Sequence, residues 1–390
     1  MIAIIIGGYV NGYSMIQELA EMGVKDIGLL YYKGQPSRLS NKLSYKHEIS
    51  RETKDLYETL DALRKQYHKL VLFPCDEYQI EQLYSIKDKL QSFCCLPFNS
   101  KNILDAMDKE YQYSICKKLN IPYPKTLIID QSFNSSEMND FLFPVIVKPR
   151  KRYEEKGIFR IKRLNTRNDF EDFYLTKLGD LVYNKCEFLV SELVPGDTNQ
   201  GLIFAYTCYR SPRTGQILNE WVGRKESQFP DDYGIFSTAS PQINDVVLQQ
   251  GRQLVNALDA FGIVEPEFKY DNRDGKYKLM EVNFRSMMWH RVGNLSGVKL
   301  QYSQWMDGVG MEVPRYEQKV MADRRFSYLI HEIYNLIARR GYLITFKKNV
   351  LNKNTHLALW DSSDMWPFFI DLFKLFRLVP KAILKRFRDA

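Results

Sequence analysis

Two carboxylates, a carboxamide and a guanidinium lie along one stretch of the chain at a spacing that could bring them to one ligand. Glu267 precedes a polar turn with Asp274-Gly275, and Glu281, Asn283 and Arg285 follow it. Two short strands joined by such a turn are typical of a β-hairpin. Because side chains alternate along a strand, the last three residues would share one face.

The side-chain chemistry of this hairpin suits a metal ion and an anion. On the first strand, Glu265, Glu267 and Lys269 share one face. If Glu267 and Glu281 meet across the hairpin, they and the Asn283 oxygen form a ligand set that fits Mg²⁺. A guanidinium beside them would bind the anion that the metal holds. The alternative is a solvated hairpin with charged residues on its open face.

Composition and charge narrow the class of protein. The chain has 390 residues, 45% of them hydrophobic and 14% aromatic, so we expect a globular protein of two or three domains. The net charge of +8 is mostly dispersed, which favours anionic substrates or an anionic membrane surface. Only the C-terminus has a clustered basic stripe, so we expect no nucleic-acid partner.

Cysteine usage and hydropathy indicate a cytoplasmic protein. The six cysteines form no C-x-x-C pair and no zinc-like spacing with histidine, so we expect reduced thiols. The chain begins with an apolar strand and no basic leader, which disfavours a signal peptide. No apolar run reaches 18 residues, so no transmembrane helix is predicted.

A βαβ pattern opens the chain. The apolar run Ile2 to Ile6 precedes a glycine-rich turn, Gly7 to Gly12, and a helical pattern leads to a second apolar run, Ile27 to Tyr31. We expect a parallel sheet. The turn is not G-x-G-x-x-G, which disfavours a nicotinamide cofactor. Asp76 and Glu77 follow another predicted strand, where such sheets bind ligands; alternatively, Asp76 caps a helix.

Two lysines stand where a phosphate could bind. Lys109 opens a predicted helix that ends at Ile121-Pro-Tyr-Pro124, although a solvated helix lysine is the alternative. Lys148 lies in the apolar run Phe143 to Pro149. An isolated buried ammonium is costly, so this lysine would be paired or would bind phosphate. The basic loop at residues 150–157 either assists it or is an ordinary surface loop.

Three further segments could complete a nucleotide and substrate site. Glu187 to Gly196 predicts a strand that ends in a Pro-Gly turn, where apolar faces and one polar edge would suit adenine. A hairpin with its turn at Ser211 to Gly215 returns through residues 217–222 and ends in Gly223-Arg224-Lys225. His290 is either a catalytic base or a hydrogen-bonded structural residue.

In this order the segments resemble the ATP-grasp superfamily, whose members are mostly carboxylate–amine or carboxylate–thiol ligases that act through an acyl phosphate. Glu267 and the run Glu281-x-Asn283-x-Arg285 resemble its metal-binding end. Lys109 with Ile121-Pro-Tyr-Pro124, and Val147-Lys148-Pro149, resemble its phosphate-binding segments.

The resemblance implies an α/β (α+β) ATP-grasp fold, in which two α+β subdomains clamp ATP behind an N-terminal parallel-sheet domain. It places a Rossmann-like pre-ATP-grasp domain at residues 1–105 and a small subdomain at 106–190. A large subdomain with the metal site would occupy 191–325, and a C-terminal extension with a basic amphipathic helix would occupy 326–390.

The resemblance also assigns roles to single residues. The residues implied to bind ATP are Lys109, Lys148, Glu192, Leu193, Val194 and Asp197. The implied metal ligands are Glu267, Glu281 and Asn283, with two Mg²⁺ ions expected and Mn²⁺ as a substitute. The residues implied to steady the transferring phosphoryl group are Arg285, Lys225 and Arg224.

One branch of the superfamily fits best. Gly223-Arg224-Lys225, Gln228-Phe229-Pro230 and Gly234 resemble the D-aspartate ligase-like and capsular polysaccharide enzymes. The branch implies attachment of an amino acid to a cell-surface polysaccharide or peptidoglycan precursor, through small-molecule carboxylate and amine substrates, one of them a nucleotide-sugar or lipid-linked glycan. Ser227 stands where relatives often have a second basic residue.

Two other functions remain open at this point. A non-catalytic, membrane-associated ATP-binding protein would explain Ser227 and the unusual 150–157 loop. An ATP-dependent acid–thiol ligase would differ only in its acceptor.

The C-terminal residues predict a basic amphipathic helix. Residues 365–390 hold six Lys/Arg and two Asp, with aromatic and aliphatic residues at helical spacing and a proline at position 380. Such a helix fits the inner face of an anionic membrane. The alternative is a helix docked on the protein's own core or on the partner of a homodimer.

Overall fold

The computed structural model describes residues 1–99, 101–150, 158–196, 200–230, 234–321 and 323–375. Its strands are β1 (Ile2–Ile6), β2 (Ile27–Tyr31), β3 (Tyr45–Glu48), β4 (Leu70–Pro74), β5 (Cys94–Cys95), β6 (Thr126–Ile129), β7 (Val145–Pro149), β8 (Lys162–Leu164), β9 (Phe188–Glu192), β10 (Ile203–Arg210), β11 (Ile217–Phe229), β12 (Ile235–Pro241), β13 (Gly262–Asp271), β14 (Lys276–Asn283), β15 (Arg325–Ser327) and β16 (Thr355–Leu357).

Its helices are α1 (Val10–Glu21), α2 (Thr53–Leu63), α3 (Glu77–Ser85), α4 (Lys87–Leu90), α5 (Ile103–Met107), α6 (Lys109–Leu119), α7 (Arg167–Phe173), α8 (Gly179–Tyr183), α9 (Asp245–Ala257), α10 (Arg291–Leu295), α11 (Leu300–Gly308), α12 (Leu329–Ala338), α13 (Leu343–Val350) and α14 (Trp366–Leu372).

The chain divides into two compact units. The first unit takes Met1–Ile115, Asp197–Phe268 and Glu281–Ala390, and the second takes Cys116–Gly196 and Lys269–Met280. The functional domain boundaries inferred from the sequence, at residues 105, 190 and 325, stay predictions.

The first unit begins with the predicted parallel sheet. Its strand order is β3-β2-β1-β4-β5, and every pairing is parallel. β1 is wholly buried, as expected for a parallel strand covered on both faces. Ile6 pairs with Pro74, so the turn after β1 and the residues after β4 emerge at the same edge of the sheet. The predicted βαβ unit is confirmed.

A seven-stranded sheet carries the central hairpins, in the order β14-β13-β10-β11-β12-β15-β16. The hairpin between β10 and β11 turns at Ser211 to Gly215, as predicted. The second strand is longer than predicted, because it pairs with β12 as far as Phe229. Gly223-Arg224-Lys225 therefore lies within a strand and not at its end.

The core of the first unit joins distant parts of the chain. Tyr13 on α1, Trp221 on β11, Trp289 after β14 and Tyr328 before α12 belong to one buried cluster. Burial of aromatic side chains supplies much of the free energy that holds such elements together. The N-terminal sheet, the central sheet and the C-terminal segment are thus one packed body.

The second unit has its own four-stranded sheet, β6-β9-β7-β8. Val145, Val147 and Phe188 are fully buried in its core, with Phe170 of α7. Lys148 pairs with Leu189 across β7 and β9 and is half-buried. The sequence predicted the strand correctly but predicted a more buried lysine.

Within the first unit, polar side chains of the C-terminal segment bind residues from earlier in the chain. Asp364 accepts hydrogen bonds from Ser40 Oγ at 2.5 Å and from the Asn41 amide at 3.0 Å. Asp371, on α14, accepts a hydrogen bond from Tyr328 Oη at 2.7 Å. This supports the docked alternative for the start of the predicted amphipathic helix; its remainder, residues 376–390, lies outside the described residues.

Candidate active site

The predicted hairpin is present, and its acidic residues are buried. β13 and β14 are neighbours in the sheet, and the amides of Asp274 and Gly275 donate to the Asp271 carbonyl in the turn. Glu265 is 0% exposed and Glu267 is 6% exposed. The solvated-hairpin alternative is therefore wrong for these carboxylates, which must be paired with cations or hydrogen-bond donors.

Lys225 pairs with Glu267 in the interior. Lys225 lies on β11 opposite Ile203 of β10, so its side chain reaches across β10 to the Glu267 carboxylate on β13. Burial alone lowers the pKa of Lys225, but the charges of Glu267, Glu281 and Glu265 raise it above its ordinary value. Burial raises the pKa of Glu267, and the Lys225 ammonium opposes that rise.

Glu265 is held by neighbours that were not all foreseen. Its Oε2 atom lies 2.5 Å from His290 Nε2 and accepts a hydrogen bond from Thr207 Oγ1 at 3.3 Å. Its Oε1 atom faces Asn283 Nδ2 at 3.5 Å. The same Nδ2 atom also donates to Glu281 Oε1 at 3.5 Å. The structure thus brings the predicted metal ligands into one neighbourhood.

The donor set fits a divalent cation. The charges of Glu267, Glu281 and Glu265 all act on the Lys225 ammonium. Throughout the described ranges, no group of three or more His, Cys, Asp and Glu side chains is placed to share a metal ion. An ion would thus combine Glu267 and Glu281 with the Asn283 oxygen, an all-oxygen set that Mg²⁺ accepts.

Arg285 lies beyond the end of β14, which stops at Asn283 and not at Arg285 as predicted. Its Nε atom donates to Glu77 Oε2 at 2.7 Å. Asp76 caps α3 through the Tyr78 amide at 2.9 Å, so the capping alternative holds for Asp76. Glu77, in contrast, joins the candidate site as the partner of Arg285.

Arg224 does not join this cluster. Its Nε and Nη2 atoms donate to Glu226 Oε1 at 3.0 and 2.7 Å, and its guanidinium lies 6.0 Å from the centre of the Phe204 ring. Adjacent residues on a strand face opposite sides of the sheet, which explains why Lys225 and Arg224 separate. Ser227 also has another role, because it donates to the buried Glu332 at 2.5 Å.

The residues assigned to ATP lie in several places. Lys109 begins α6 in the first unit, and Lys148 lies on β7 in the second. Glu192 Oε1 accepts from the Leu142 amide at 2.9 Å, and the Leu193 amide donates to the Pro144 carbonyl at 2.9 Å. Leu193 therefore already uses its donor within the second unit.

The other ATP assignments stay predictions. Val194 is 1% exposed, and Asp197 and residues 151–157 lie outside the described residues. The contacts of His290 with Glu265 and of Glu77 with Arg285 could not be predicted, because they join residues 25 and 208 positions apart. Glu18 lies among the apolar residues of α1 in the sequence, a pattern that indicates a buried carboxylate with partners elsewhere in the chain.

Comparisons with known proteins support the motif-based interpretation. No model of a known protein family matches the chain. A D-aspartate ligase from Enterococcus faecium (strain Aus0004) is 27% identical over 321 residues, which cover 77% of this chain and 74% of that enzyme.

Solved structures share the fold. An L-amino acid ligase from Bacillus licheniformis superposes with a TM-score of 0.57 at 12% identity, covering 83% of this chain and 78% of that one. The biotin carboxylase domain of the Hydrogenobacter thermophilus 2-oxoglutarate carboxylase, in complex with MgADP, ADP and bicarbonate, has a TM-score of 0.61 at 14% identity and covers 81% and 71%.

The order of the motifs, the related D-aspartate ligase and the shared fold agree with one another. The chain is thus similar in sequence to a D-aspartate ligase and shares its fold with an L-amino acid ligase and a biotin carboxylase domain, as the resemblance to the ATP-grasp superfamily predicts.

Proposed function

We propose that the protein uses ATP and Mg²⁺ to join the carboxylate of an amino acid to an amine. The observation that carries this proposal is the buried group of Lys225, Glu267 and Asn283 with the nearby Glu281. It combines an excess of acidic oxygens with one ammonium in the interior of the first unit. Such a group suits phosphoryl transfer, which depends on positioning and charge neutralisation.

Glu267, Glu281 and Asn283 would hold the metal. Bound Mg²⁺ supplies positive charge to the phosphate oxygens and orients them for transfer. The Lys225 ammonium already pairs with Glu267, so it would stay close to the transferring phosphoryl group. Arg285 would add a planar cation for the acyl phosphate oxygens.

The proposed reaction has two steps. A carboxylate oxygen of the first substrate attacks the γ-phosphorus of ATP, and the bond from that phosphorus to the β-phosphate oxygen breaks. ADP departs, and the substrate is now an acyl phosphate. The second substrate's amine attacks the acyl carbon, inorganic phosphate leaves, and the amine nitrogen loses a proton as the amide forms. Lys225 and Arg285 steady the charge on the transferred group in both steps.

Aspartate is the first carboxylate substrate to test, since the related enzyme is named a D-aspartate ligase. Arg285 is held by Glu77 at 2.7 Å, and a substrate carboxylate would compete with Glu77 for the guanidinium. We propose that the acceptor amine belongs to a polysaccharide or peptidoglycan precursor, in a nucleotide-linked or lipid-linked form.

A substrate-pair screen tests this function. ADP release would be measured for D- and L-amino acids with each candidate amine, and mass spectrometry would identify the amide. We expect release that needs both substrates and Mg²⁺, and that Asn283→Ala abolishes. Asp274→Asn, in the exposed turn of the same hairpin, is the matched control and should keep activity. ADP release that no carboxylate and amine pair stimulates would contradict the proposal.

We also propose that the C-terminal segment contacts an anionic membrane surface. Pro367 and Asp371 of α14 are buried, whereas Trp366, Phe369 and Phe373 are 69%, 41% and 61% exposed. Five Lys/Arg and one Asp follow in residues 376–390. Exposed aromatic side chains beside a basic run are typical of interfacial membrane contacts. The structure has no helix, within its described ranges, of the length and hydropathy needed to cross a bilayer.

Vesicle sedimentation tests this contact. The full chain should sediment with vesicles containing phosphatidylserine and less with neutral vesicles, and the double variant Trp366→Ala/Phe373→Ala should lose most of the binding. Leu351→Ala removes a side chain that is 68% exposed elsewhere in the C-terminal segment, so it should bind as the wild type does. Equal sedimentation of the three proteins would contradict the proposal.

A further inference from the structure

A buried chain of hydrogen bonds leads from Glu265 to Glu18. His290 Nε2 lies 2.5 Å from Glu265 Oε2, and His290 Nδ1 lies 3.2 Å from Ser286 Oγ. Ser286 Oγ lies 2.9 Å from the carboxamide of Gln301. When the Gln301 amide nitrogen faces Glu18, it donates to both Glu18 oxygens and the amide oxygen accepts from Ser286 Oγ at 2.9 Å. Each of the five residues is at most 3% exposed.

We propose that this chain holds one proton and thereby keeps a hydrogen on His290 Nε2, which fixes the Glu265 carboxylate and, through it, the Asn283 carboxamide. His290, Ser286, Gln301 and Glu18 are then positioning residues for a metal ligand. This inference rests on the proposed function only where it concerns the metal.

The first arrangement of the proton places it on the histidine. An ionised Glu18 accepts from the Gln301 nitrogen, which leaves the Gln301 oxygen to accept from the Ser286 hydroxyl. The Ser286 oxygen then accepts from His290 Nδ1. Since His290 Nε2 also donates to Glu265, both ring nitrogens carry hydrogen and the ring is an imidazolium.

The second arrangement reverses every donor between the histidine and the glutamate. A protonated Glu18 donates to the Gln301 oxygen, the Gln301 nitrogen donates to Ser286 Oγ, and the Ser286 hydroxyl donates to His290 Nδ1. The ring is now neutral, yet Nε2 still donates to Glu265. The two arrangements contain the same number of protons, so a turn of the Gln301 amide and the Ser286 hydroxyl interconverts them.

Removal of the proton leaves the chain short of one donor. With Glu18 ionised and His290 neutral, either Nδ1 faces the Ser286 oxygen without a hydrogen or Nε2 faces Glu265 without one. A buried contact between two acceptors costs free energy comparable to a lost hydrogen bond. This cost favours the arrangements that hold the proton, in which the donor to Glu265 is kept.

The surroundings of Glu18 agree with this. Burial raises the pKa of Glu18 to about 7, although the Tyr302 amide, Lys299 and Arg291 all act to lower it. Arg291 is itself paired with Glu21, which lies on α1 with Glu18.

The other charged and titratable groups near the chain are few. The pKa of Tyr316 is raised chiefly by burial of its side chain, and the nearby charges of Tyr302 and Glu18 add to the rise. At the far end, the rings of Trp221 and Trp289 lie 5.8 and 6.2 Å from the His290 ring. Beyond Glu265 the charges of Lys225, Glu267 and Glu281 follow.

The consequence is a fixed amide at the candidate metal site. Glu265 Oε1 faces Asn283 Nδ2 at 3.5 Å, so a stationary Glu265 keeps the amide nitrogen on its own side and directs the Asn283 oxygen away from it. Outer residues that orient a metal ligand commonly contribute 10-fold to 100-fold in metal affinity.

Nitrogen NMR of the histidine rings tests the proposal without nucleotide. The chain has five histidines, and His290→Gln assigns the relevant signals. In the wild type, the His290 ring signals should change at the pH at which the chain loses its proton. In Glu18→Gln the amide supplies the missing donor without titrating, so His290 should stay in the neutral Nε2–H form from pH 6 to 9.

Two further variants separate the chain from a simple charge effect. Ser286→Ala breaks the chain, so adding Glu18→Gln to it should leave the His290 signals unchanged. Glu21→Gln removes a neighbouring charge on the same helix without touching the chain, and should leave the wild-type titration in place.

The same titration of His290 in the wild type and Glu18→Gln would overturn the proposal, as would an Nδ1–H tautomer in Glu18→Gln. A His290 response to Glu18→Gln that persists in Ser286→Ala would also overturn it. These signals are read without ATP, so they are independent of whether ligase activity is found. As a separate readout, the affinity for MgADP at pH 9 should be at least several-fold higher in Glu18→Gln than in the wild type.

Discussion

Two buried clusters of the first unit each contain a glutamate and a histidine, and the partners of the two glutamates differ in charge. Glu265 and His290 lie beside Lys225, Glu267 and Glu281, so several ionisable groups act on one another. Around Glu332 the contacts are with neutral donors.

The Glu332 donors are Ser227 Oγ at 2.5 Å, Ser237 Oγ at 2.6 Å, Thr238 Oγ1 at 2.8 Å, Tyr342 Oη at 3.0 Å and Asn349 Nδ2 at 3.4 Å. His331 nearby donates to the Phe236 carbonyl at 2.8 Å, and burial lowers its pKa to about 4. The hydrogen-bonding capacity of the Glu332 carboxylate is therefore filled by donors of the protein itself. The first cluster is left with charge that a bound cation could balance.

The largest expected effect comes from the charged cluster. Lys225→Met should lower kcat by about 10²-fold to 10³-fold, the usual result of removing a group that stabilises charge in a transition state. Lys278→Met is the matched control, since Lys278 pairs with Asp271 and Asp274 in the same hairpin but outside the cluster. Steady-state ADP release measures both. A similar loss in the two variants would remove the distinction between the clusters.

Glu18 should give a pH-dependent change in stability. Its pKa in the folded protein is about 7 against an ordinary 4.5, so the folded state binds the extra proton and its stability falls as pH rises between these values. Glu18→Gln lacks this loss and should gain up to about 3 kcal/mol relative to the wild type above pH 7. Denaturant unfolding at pH 4.5 and 8 measures the gain, which should be small at the lower pH.

The cluster of neutral donors around Glu332 should affect the stability of the protein and not its kcat. Glu332→Gln turns an amide nitrogen toward hydroxyl and amide donors, which should cost about 1–3 kcal/mol in the free energy of unfolding. The kcat of the folded fraction should stay unchanged. A loss of kcat with full stability would show that the Glu332 cluster also serves the reaction.

The smallest expected effect is at Glu77. Glu77→Gln keeps a hydrogen bond to Arg285 but removes the charge that competes with a substrate carboxylate. We expect KM for the carboxylate substrate to fall a few-fold with little change in kcat, as measured by initial rates. An increase in KM would indicate that Glu77 positions Arg285 for the substrate.

The sequence was most informative where local pattern and chemistry agree. The hairpin of β13 and β14, the first βαβ unit and the helix that starts at Lys109 follow from alternation, turn residues and prolines. The metal-binding role of Glu267 was predicted from its residue type and the family resemblance, and it stays a prediction. The predicted length of β11 was wrong, because the strand extends through its pairing with β12, which lies farther along the chain.

Contacts between residues that are distant in the chain could not be predicted from the local sequence pattern. His290 has ordinary neighbours in sequence, and its role depends on Glu265, 25 positions away, and on Ser286. Ser227 was interpreted as a missing basic residue, although it supports Glu332, 105 positions away. Nothing in the local sequence distinguishes a serine that replaces a lysine from one that completes a buried network.

The attachment of the last described segment to the beginning of the chain affects biosynthesis. Tyr13 donates to the Asp364 carboxylate at 3.2 Å, across 351 positions. At ribosomal rates of about 5–20 residues per second, Tyr13 is synthesised roughly 20–70 seconds before its partner Asp364. The nascent chain must therefore keep the Tyr13 region soluble during most of translation, and premature termination before Asp364 would leave that surface open to chaperones and proteases.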